Sequence, residues 1–311
     1  MRFTPERNPV AGTPSLTASI SVPPAAPYDP YLYRIRDLVC RVSGIFHSDH
    51  KLYFVADRCA RRMRSTGATC MQEYYGQLAD RGGRPSELVA LLNEITVGET
   101  CFFRNLPQLD AIRKIVIPAI VQERARLAFT HLRIWSAGCS TGEEPYTLAM
   151  VLEEELQRAL RGWTFELLAT DLNEKSLDFA KKATYGDYAL RNTPLYYLQK
   201  YFRRRHGLHH VSEQIRKRVS FTSLNLVDDS KMLFMKGMDI VFCSNVLIYF
   251  EGQARRRVVQ HFFNNLIPGG YFFLGHSESL FGVNGDFKLM NFTGGSLYTR
   301  PFRQISAAGA R

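Results

Sequence analysis

Trp135-Ser136-Ala137-Gly138-Cys139-Ser140-Thr141-Gly142-Glu143-Glu144-Pro145-Tyr146 is the stretch on which the reading of this chain turns. It follows a short run with strand character, His131–Trp135, and enters a helix that the pattern carries from Glu143 to Leu160. Small residues at the join let a ligand approach the backbone, and a helix start presents free N–H groups. The turn is not a phosphate-binding P-loop, because GxxxxGK[ST] is absent, and it departs from GxGxxG. Glu143 and Glu144 suit the positive end of a helix dipole. They would also repel a phosphate, so the turn favours a cationic ligand such as the sulfonium and amino groups of S-adenosylmethionine.

Outward from this stretch, strands and helices alternate. Phe165–Ala169 reads as a strand, Glu174–Lys182 as a helix and Val219–Phe221 as strand-like. Asp239–Cys243 is a strand, and the helix Gln253–Leu266 is stopped by Ile267-Pro268-Gly269-Gly270. Tyr271–Leu274 follows as a strand, and Phe287–Met290 with Ser296–Thr299 form a closing hairpin. The alternation predicts an α/β fold, a doubly wound, mostly parallel sheet with helices on both faces. Tyr201–Phe221 breaks it. Arg203, Arg204, Arg205, Arg216, Lys217, Arg218 and three histidines make this stretch too polar for a core. It is either a small β excursion or a solvated loop.

Upstream the period becomes helical. Leu32, Ile35, Leu38, Val39 and Val42 form one stripe, Val55, Cys59 and Met63 another. Tyr74, Leu78, Leu88, Leu91, Leu92 and Ile95 suggest further helices, broken at Gly82-Gly83. Residues 28–93 therefore predict a small N-terminal all-helical domain, and 94–130 a junction with a linker helix over Leu109–Arg126. Residues 131–302 form the sheet domain, with an insertion near 201–221; 1–27 read as a proline-rich disordered leader and 303–311 as a tail.

The composition, 45% hydrophobic and 22% charged over 311 residues, is that of an ordinary soluble globular protein. No apolar run approaches the ~20 residues of a transmembrane helix, and no signal peptide is evident. Six cysteines without CxxC pairing argue against a zinc site and a disulfide framework, and suggest a reducing cytoplasm. A net charge of +11 favours an acidic partner: nucleic acid, anionic lipid or an acidic protein surface.

In open α/β sheets, ligands bind beyond the carboxyl ends of the strands. The second strand ends at Asp171, where ribose hydroxyls are bound in this architecture; the competing reading makes Asp171 the N-cap of the Glu174 helix. Asn225 and Asn245 follow two later strands. Each offers a donor and an acceptor to an adenine edge or an amino-acid end, though asparagine is also an ordinary turn residue. With the glycine turn, these residues occupy successive strand ends and point to one shared site.

The chain resembles the CheR-type chemotaxis receptor methyltransferases. Thr100-Cys101-Phe102-Phe103-Arg104, Gly142-Glu143-Glu144-Pro145-Tyr146, Asp171, Asn225-Leu226, Asn245-Val246-Leu247-Ile248-Tyr249-Phe250 and Gly275-His276-Ser277-Glu278 carry the resemblance, in order, over about residues 30–300. It implies a class I, Rossmann-like methyltransferase domain. It also implies methyl transfer from S-adenosylmethionine to glutamate side chains on the cytoplasmic helices of chemoreceptors, leaving S-adenosylhomocysteine. On this resemblance Thr100, Arg104, Glu144, Asp171, Asn225, Leu226, Asn245 and Val246 contact the cofactor, and Arg104 and Tyr249 face the substrate. No metal, nucleic-acid partner or membrane insertion is expected, and the protein is expected to be a cytoplasmic monomer. Two positions depart from the family pattern: Gly98 replaces a polar residue, often Asn, and Ser244 stands where Arg commonly precedes the asparagine.

A glutamate of pKa ~4.3 is already ionised at neutral pH and needs no general base. In-line displacement requires approach, alignment and exclusion of water, so no catalytic triad is expected. Arg104 is read as gripping the incoming carboxylate through its planar fork, supported by Tyr249; a structural ion pair is the competing reading. The arginines around Arg58–Arg64 would meet an acidic receptor bundle. Two other functions stay open: methyl transfer to a different substrate, and non-catalytic S-adenosylmethionine binding.

Overall fold

Among the described residues the N-terminal domain runs α1 (Pro30–Ser43), α2 (Leu52–Thr66), α3 (Met71–Ala79) and α4 (Pro85–Ile95). The computed structural model describes residues 28–80, 85–125 and 129–302. The expected leader 1–27, the Gly82-Gly83 break, Arg126 and the tail 303–311 lie outside the described residues. Asp29 caps α1 by accepting from the Tyr31 N–H at 2.8 Å, with proline at the first position. Ile35, Leu52, Val55, Tyr74 and Leu91 are fully buried in a core belonging to these helices. Within it, buried Glu87 accepts from Arg62 at 3.0 and 2.6 Å and from the Tyr74 hydroxyl at 2.8 Å.

The linker is a helical rod: α5 (Leu106–Ala111), a π turn over Ile112–Val116, and α6 (Ile117–Arg124). It starts earlier than Leu109 because Asn105 caps it, accepting from the Gln108 N–H at 3.3 Å. The rod widens into the π turn just ahead of Pro118, which has no N–H to return to the preceding turn.

The main domain runs β1 (His131–Ala137), α7 (Glu143–Leu156), β2 (Thr164–Asp171), α8 (Glu174–Lys182), β3 (Thr184–Tyr185), α9 (Leu195–Tyr201), β4 (Phe202–Arg205) and β5 (Leu208–Val211). It continues through α10 (Glu213–Arg216), β6 (Val219–Ser223), β7 (Met238–Cys243), α11 (Gly252–Asn265), β8 (Leu266–Leu274), β9 (Lys288–Phe292) and β10 (Gly295–Thr299). Seven strands form one sheet in the order β6-β2-β1-β7-β8-β10-β9. The first five are mutually parallel, and β10 runs antiparallel to β8 and β9. Strand order reverses between β1 and β7, so the glycine turn and the loop after β7 flank the switch point where ligands bind in such sheets.

Boundaries in this domain also differ from expectation. Helix α7 stops at Leu156, and the Leu160 N–H returns to the Glu155 carbonyl at 2.8 Å. Strand β8 starts at Leu266, which pairs with Met238, rather than at Tyr271, which pairs with Ile240; the Pro-Gly-Gly stretch bulges out between these pairs. The polar stretch contributes to a separate three-stranded sheet, β3-β5-β4, which begins upstream at Thr184, whereas Val219–Phe221 belongs to the main sheet. Arg203–Arg205 lie exposed on β4. No helix among the described residues is long and apolar enough to cross a membrane.

Removing Glu87 strands the Arg62 guanidinium and the Tyr74 hydroxyl inside the helical domain. Glu87→Ala is expected to destabilise that domain by about 3 kcal/mol in chemical denaturation. Lys175→Ala, which breaks an exposed pair with Glu94 (2.8 Å), should cost under ~1 kcal/mol.

Candidate active site

A cavity of about 600 Å³ lies between the helical domain and the carboxyl ends of the parallel strands. That volume is ordinary for a small-molecule site. Thr100, Arg104, Glu144, Asp171, Asn225, Leu226, Asn245, Val246 and Tyr249 all line it.

The inner wall starts at the turn after β1. Gly138 has φ 73°, and a Cβ there would stand 2.4 Å from Val246 Cγ2. Glycine thus satisfies the left-handed backbone and lets the loop after β7 close on the turn. Asp171 ties this turn to the next loop: Oδ2 accepts from the Ser140 N–H at 2.7 Å and Oδ1 from the Asn173 N–H at 2.8 Å. Burial pushes its carboxyl up, and these backbone donors pull it back. Asp171 is not the N-cap of α8. Asn173 is, accepting from the Ser176 N–H at 3.0 Å. Its side-chain amide also donates to the Asn93 carbonyl (2.9 Å) and Thr96 Oγ1 (2.7 Å), fixing the helical domain over the sheet. Sequence reasoning did not single out Asn173, although asparagine just before a helix starting with Glu is a capping signature.

The two glutamates of the turn part company. Glu143 points away, buried and accepting from Thr141 Oγ1 at 2.6 Å, so only Glu144 faces the cavity. Glu144 accepts from Ser136 Oγ at 2.8 Å. Burial pushes its carboxyl above the ordinary glutamate value, the Ser244 and Ser136 hydroxyls and the Arg104 charge pull it back, and the charge of Glu278 pushes it up. Ser244, one of the two departures, therefore lines the cavity and lowers the Glu144 carboxyl's pKa through its hydroxyl. At the other departure, a Cβ on Gly98 would stand 2.7 Å from Ser140 Oγ, which donates to the Gly98 carbonyl at 3.0 Å.

The asparagines are partly engaged. The Asn225 amide donates to the Val42 carbonyl (2.7 Å) and accepts from the Val227 N–H (3.2 Å), leaving one N–H and one lone pair for a ligand. Asn245 sits at φ 61°, and its N–H donates to Glu278 Oε2 at 2.7 Å. Glu278 is a second residue to which sequence reasoning gave no role, although its block was recognised.

Aromatic packing sets the outer rim. Phe102 lies edge-on to Tyr185 (4.8 Å) and Phe202 (5.1 Å), and Phe103 packs on Tyr197 at 4.6 Å. Arg104 follows them into solvent, donating to the Glu99 carbonyl at 3.1 Å and making no salt bridge among the described residues. The structural ion pair is therefore not what holds it. Tyr249 shares this rim: burial pushes its hydroxyl up, and the Arg104 charge pulls it back. No group of three or more His, Cys, Asp or Glu among the described residues is placed to hold a metal ion.

Residues 32–96 match the family model of the CheR methyltransferase all-alpha domain, and residues 98–295 that of the CheR methyltransferase SAM-binding domain. The chain belongs to the CheR methyltransferase family. Chemotaxis protein methyltransferase 2 of Vibrio cholerae is 35% identical over 271 residues, covering 87% of this chain and 92% of that protein. The chemotaxis protein methyltransferase of Escherichia coli is 33% identical over 270 residues, covering 85% and 90%. This CheR-family enzyme is an S-adenosylmethionine-dependent methyltransferase built on a helical domain and a mostly parallel sheet. The cavity fits that methyl donor on physical grounds. Glu144 favours a cation, and Asp171 keeps acceptor capacity for hydroxyls beyond its two backbone donors.

A cationic ligand binds the ionised form of Glu144, so affinity is full above that carboxyl's pKa and is lost as pH falls through it. Because burial raises the pKa, the loss should begin above the ordinary carboxylate range. Calorimetric titration from neutral to mildly acidic pH should show the Kd for S-adenosylmethionine rising toward acid. In Glu144→Gln the Kd should be about tenfold weaker at neutral pH, for one lost charge-assisted hydrogen bond, and should depend less on pH, with Asp171 the remaining titrating carboxyl.

Proposed function

We propose that this enzyme esterifies glutamate side chains on the cytoplasmic helices of a chemoreceptor, acting in the cytoplasm as a monomer. The observation that carries this reading is Arg104. It lies exposed, without an ion-pair partner among the described residues, beside Tyr249 at the mouth of a cavity whose inner wall holds Glu144. A cation is favoured inside and an anion at the entrance. The relatives named above are chemotaxis methyltransferases.

Bound S-adenosylmethionine supplies a methyl group on a positively charged sulfur, ready for transfer to a nucleophile. Glu144, Asp171, Asn225 and Asn245 would hold it through polar groups, with Thr100, Arg104, Leu226 and Val246 in contact. Arg104 receives the incoming carboxylate through two parallel N–H bonds, which fixes the oxygen that faces inward. The Tyr249 hydroxyl, kept protonated by burial, donates to the same group. That carboxylate is ionised at neutral pH, so no base is required. The helical domain covers the strand ends and excludes water. Of the arginines read as receptor-facing, Arg62 is committed to Glu87, and Arg58 and Arg61 share Asp57. Arg64 is exposed, so attraction to an acidic helix bundle would rest mainly on Arg61 and Arg64.

Incubation with methyl-labelled cofactor and receptor cytoplasmic fragments should give label that mild base releases, as a carboxyl ester requires. Base-stable label would overturn the carboxylate assignment. Arg104→Ala should lower kcat/KM for the fragment roughly 30- to 100-fold, the loss of about 2–3 kcal/mol of charge-assisted bonding, while the Kd for S-adenosylmethionine changes far less. Wild-type kcat/KM should fall as ionic strength rises; a flat profile would remove the electrostatic contribution to docking.

A further inference from the structure

We infer that Glu278 is a positioning residue for methyl transfer, its carboxylate holding in shape the loop that carries Asn245, Val246 and Tyr249. The inference rests on the reading that Asn245 and Val246 contact the cofactor.

Strand pairing between β7 and β8 ends at Cys243 and Leu274. Beyond that pair both chains leave the sheet, and their backbone N–H groups need new acceptors. Glu278 provides them. Its Oε2 accepts from the Asn245 N–H at 2.7 Å and from the Gly275 N–H at 2.8 Å, one donor from each departing chain. Its Oε1 accepts from the Ile248 N–H at 3.2 Å, within the 3-10 turn Leu247–Tyr249. One side chain therefore extends the junction between the strands by a step and also caps the turn that presents Tyr249.

The loop needs such support. Asn245 adopts φ 61°, in the left-handed region that few residues besides glycine occupy and asparagine enters more readily than most. Such a residue persists where its surroundings over-determine it. Gly275 completes the arrangement by what it lacks, since a Cβ there would stand 2.8 Å from Glu278 Oε2 and 2.9 Å from the Asn245 nitrogen. The Glu278 N–H donates to the Gly275 carbonyl at 2.9 Å and closes the tight turn that aims the carboxylate.

An amide in place of this carboxylate offers one acceptor oxygen and one NH2 group, so at least one of the three backbone donors would face another donor. Glu278→Gln should weaken S-adenosylmethionine binding about tenfold, as expected for one lost charge-assisted hydrogen bond. It should also lower kcat on a receptor fragment at saturating cofactor, because Tyr249 rides on the same loop. Gly275→Ala attacks the same bonds from the opposite side and should reproduce both effects. The Glu278→Gln, Gly275→Ala double variant should be little worse than the more damaged single variant. A merely structural role predicts lower melting temperatures with an unchanged Kd for the folded protein, or additive losses, and either result overturns the inference. Asn245→Ala separates the two levels of the reading. If it leaves the Kd unchanged, the cofactor assignment fails and the inference with it. If it weakens binding while Glu278→Gln does not, the positioning role alone fails.

Discussion

Asp171 spends both carboxylate oxygens on backbone N–H groups, one in the turn after β1 and one at the start of α8. The rest of the site depends on that arrangement. It holds Ser140 where its hydroxyl reaches the Gly98 carbonyl in the junction. It sets Asn173, whose amide reaches back to Asn93 and Thr96 on the helical domain. A half-buried carboxylate without a cation is costly unless strong donors surround it, and here the donors are backbone N–H groups of the two loops. Glu144 is likewise held by a nearby donor, the hydroxyl of Ser136.

The small sheet supports the site from the side. Its Tyr185 and Phe202 grip Phe102, and neighbouring Tyr197 takes Phe103. The segment that delivers Arg104 to the rim is thereby anchored by aromatic packing just before the guanidinium enters solvent. The Phe103 N–H adds a bond to Thr147 Oγ1 on α7 (3.2 Å), so the junction is pinned to the helix that carries Glu144. A flexible cationic side chain on a fixed root suits the capture of a carboxylate from a moving partner.

The fold was legible in the sequence where local patterns govern it. Alternating strands and helices gave the parallel sheet, and the 3.6-residue stripes from Leu32 to Ile95 gave the helical domain. What escaped depends on contacts the local pattern does not encode. Asn225 looked free for a ligand, yet its amide bonds to Val42, a residue 183 positions away. Glu143 and Glu144 are neighbours in sequence, but a helix turns successive side chains by about 100°, and only packing decides which one faces the cavity. The two-residue strand β3 is too short to leave a periodic signal, so the small sheet's start at Thr184 was invisible. The start of β8 at Leu266 was hidden for a different reason, since proline and glycines that end a helix also suit a bulge.

The cavity is walled by the helical domain on one side and the sheet domain on the other. Besides the Asn173 and Asn225 bonds, the Phe46 N–H donates to the Tyr249 carbonyl at 3.0 Å, and Ile45 bridges to Phe250. These bonds join the helical domain to the segment that carries Tyr249 on the cavity rim. Tyr249 is therefore located from both sides of the cavity, by the helical domain through its carbonyl and by Glu278 through its turn.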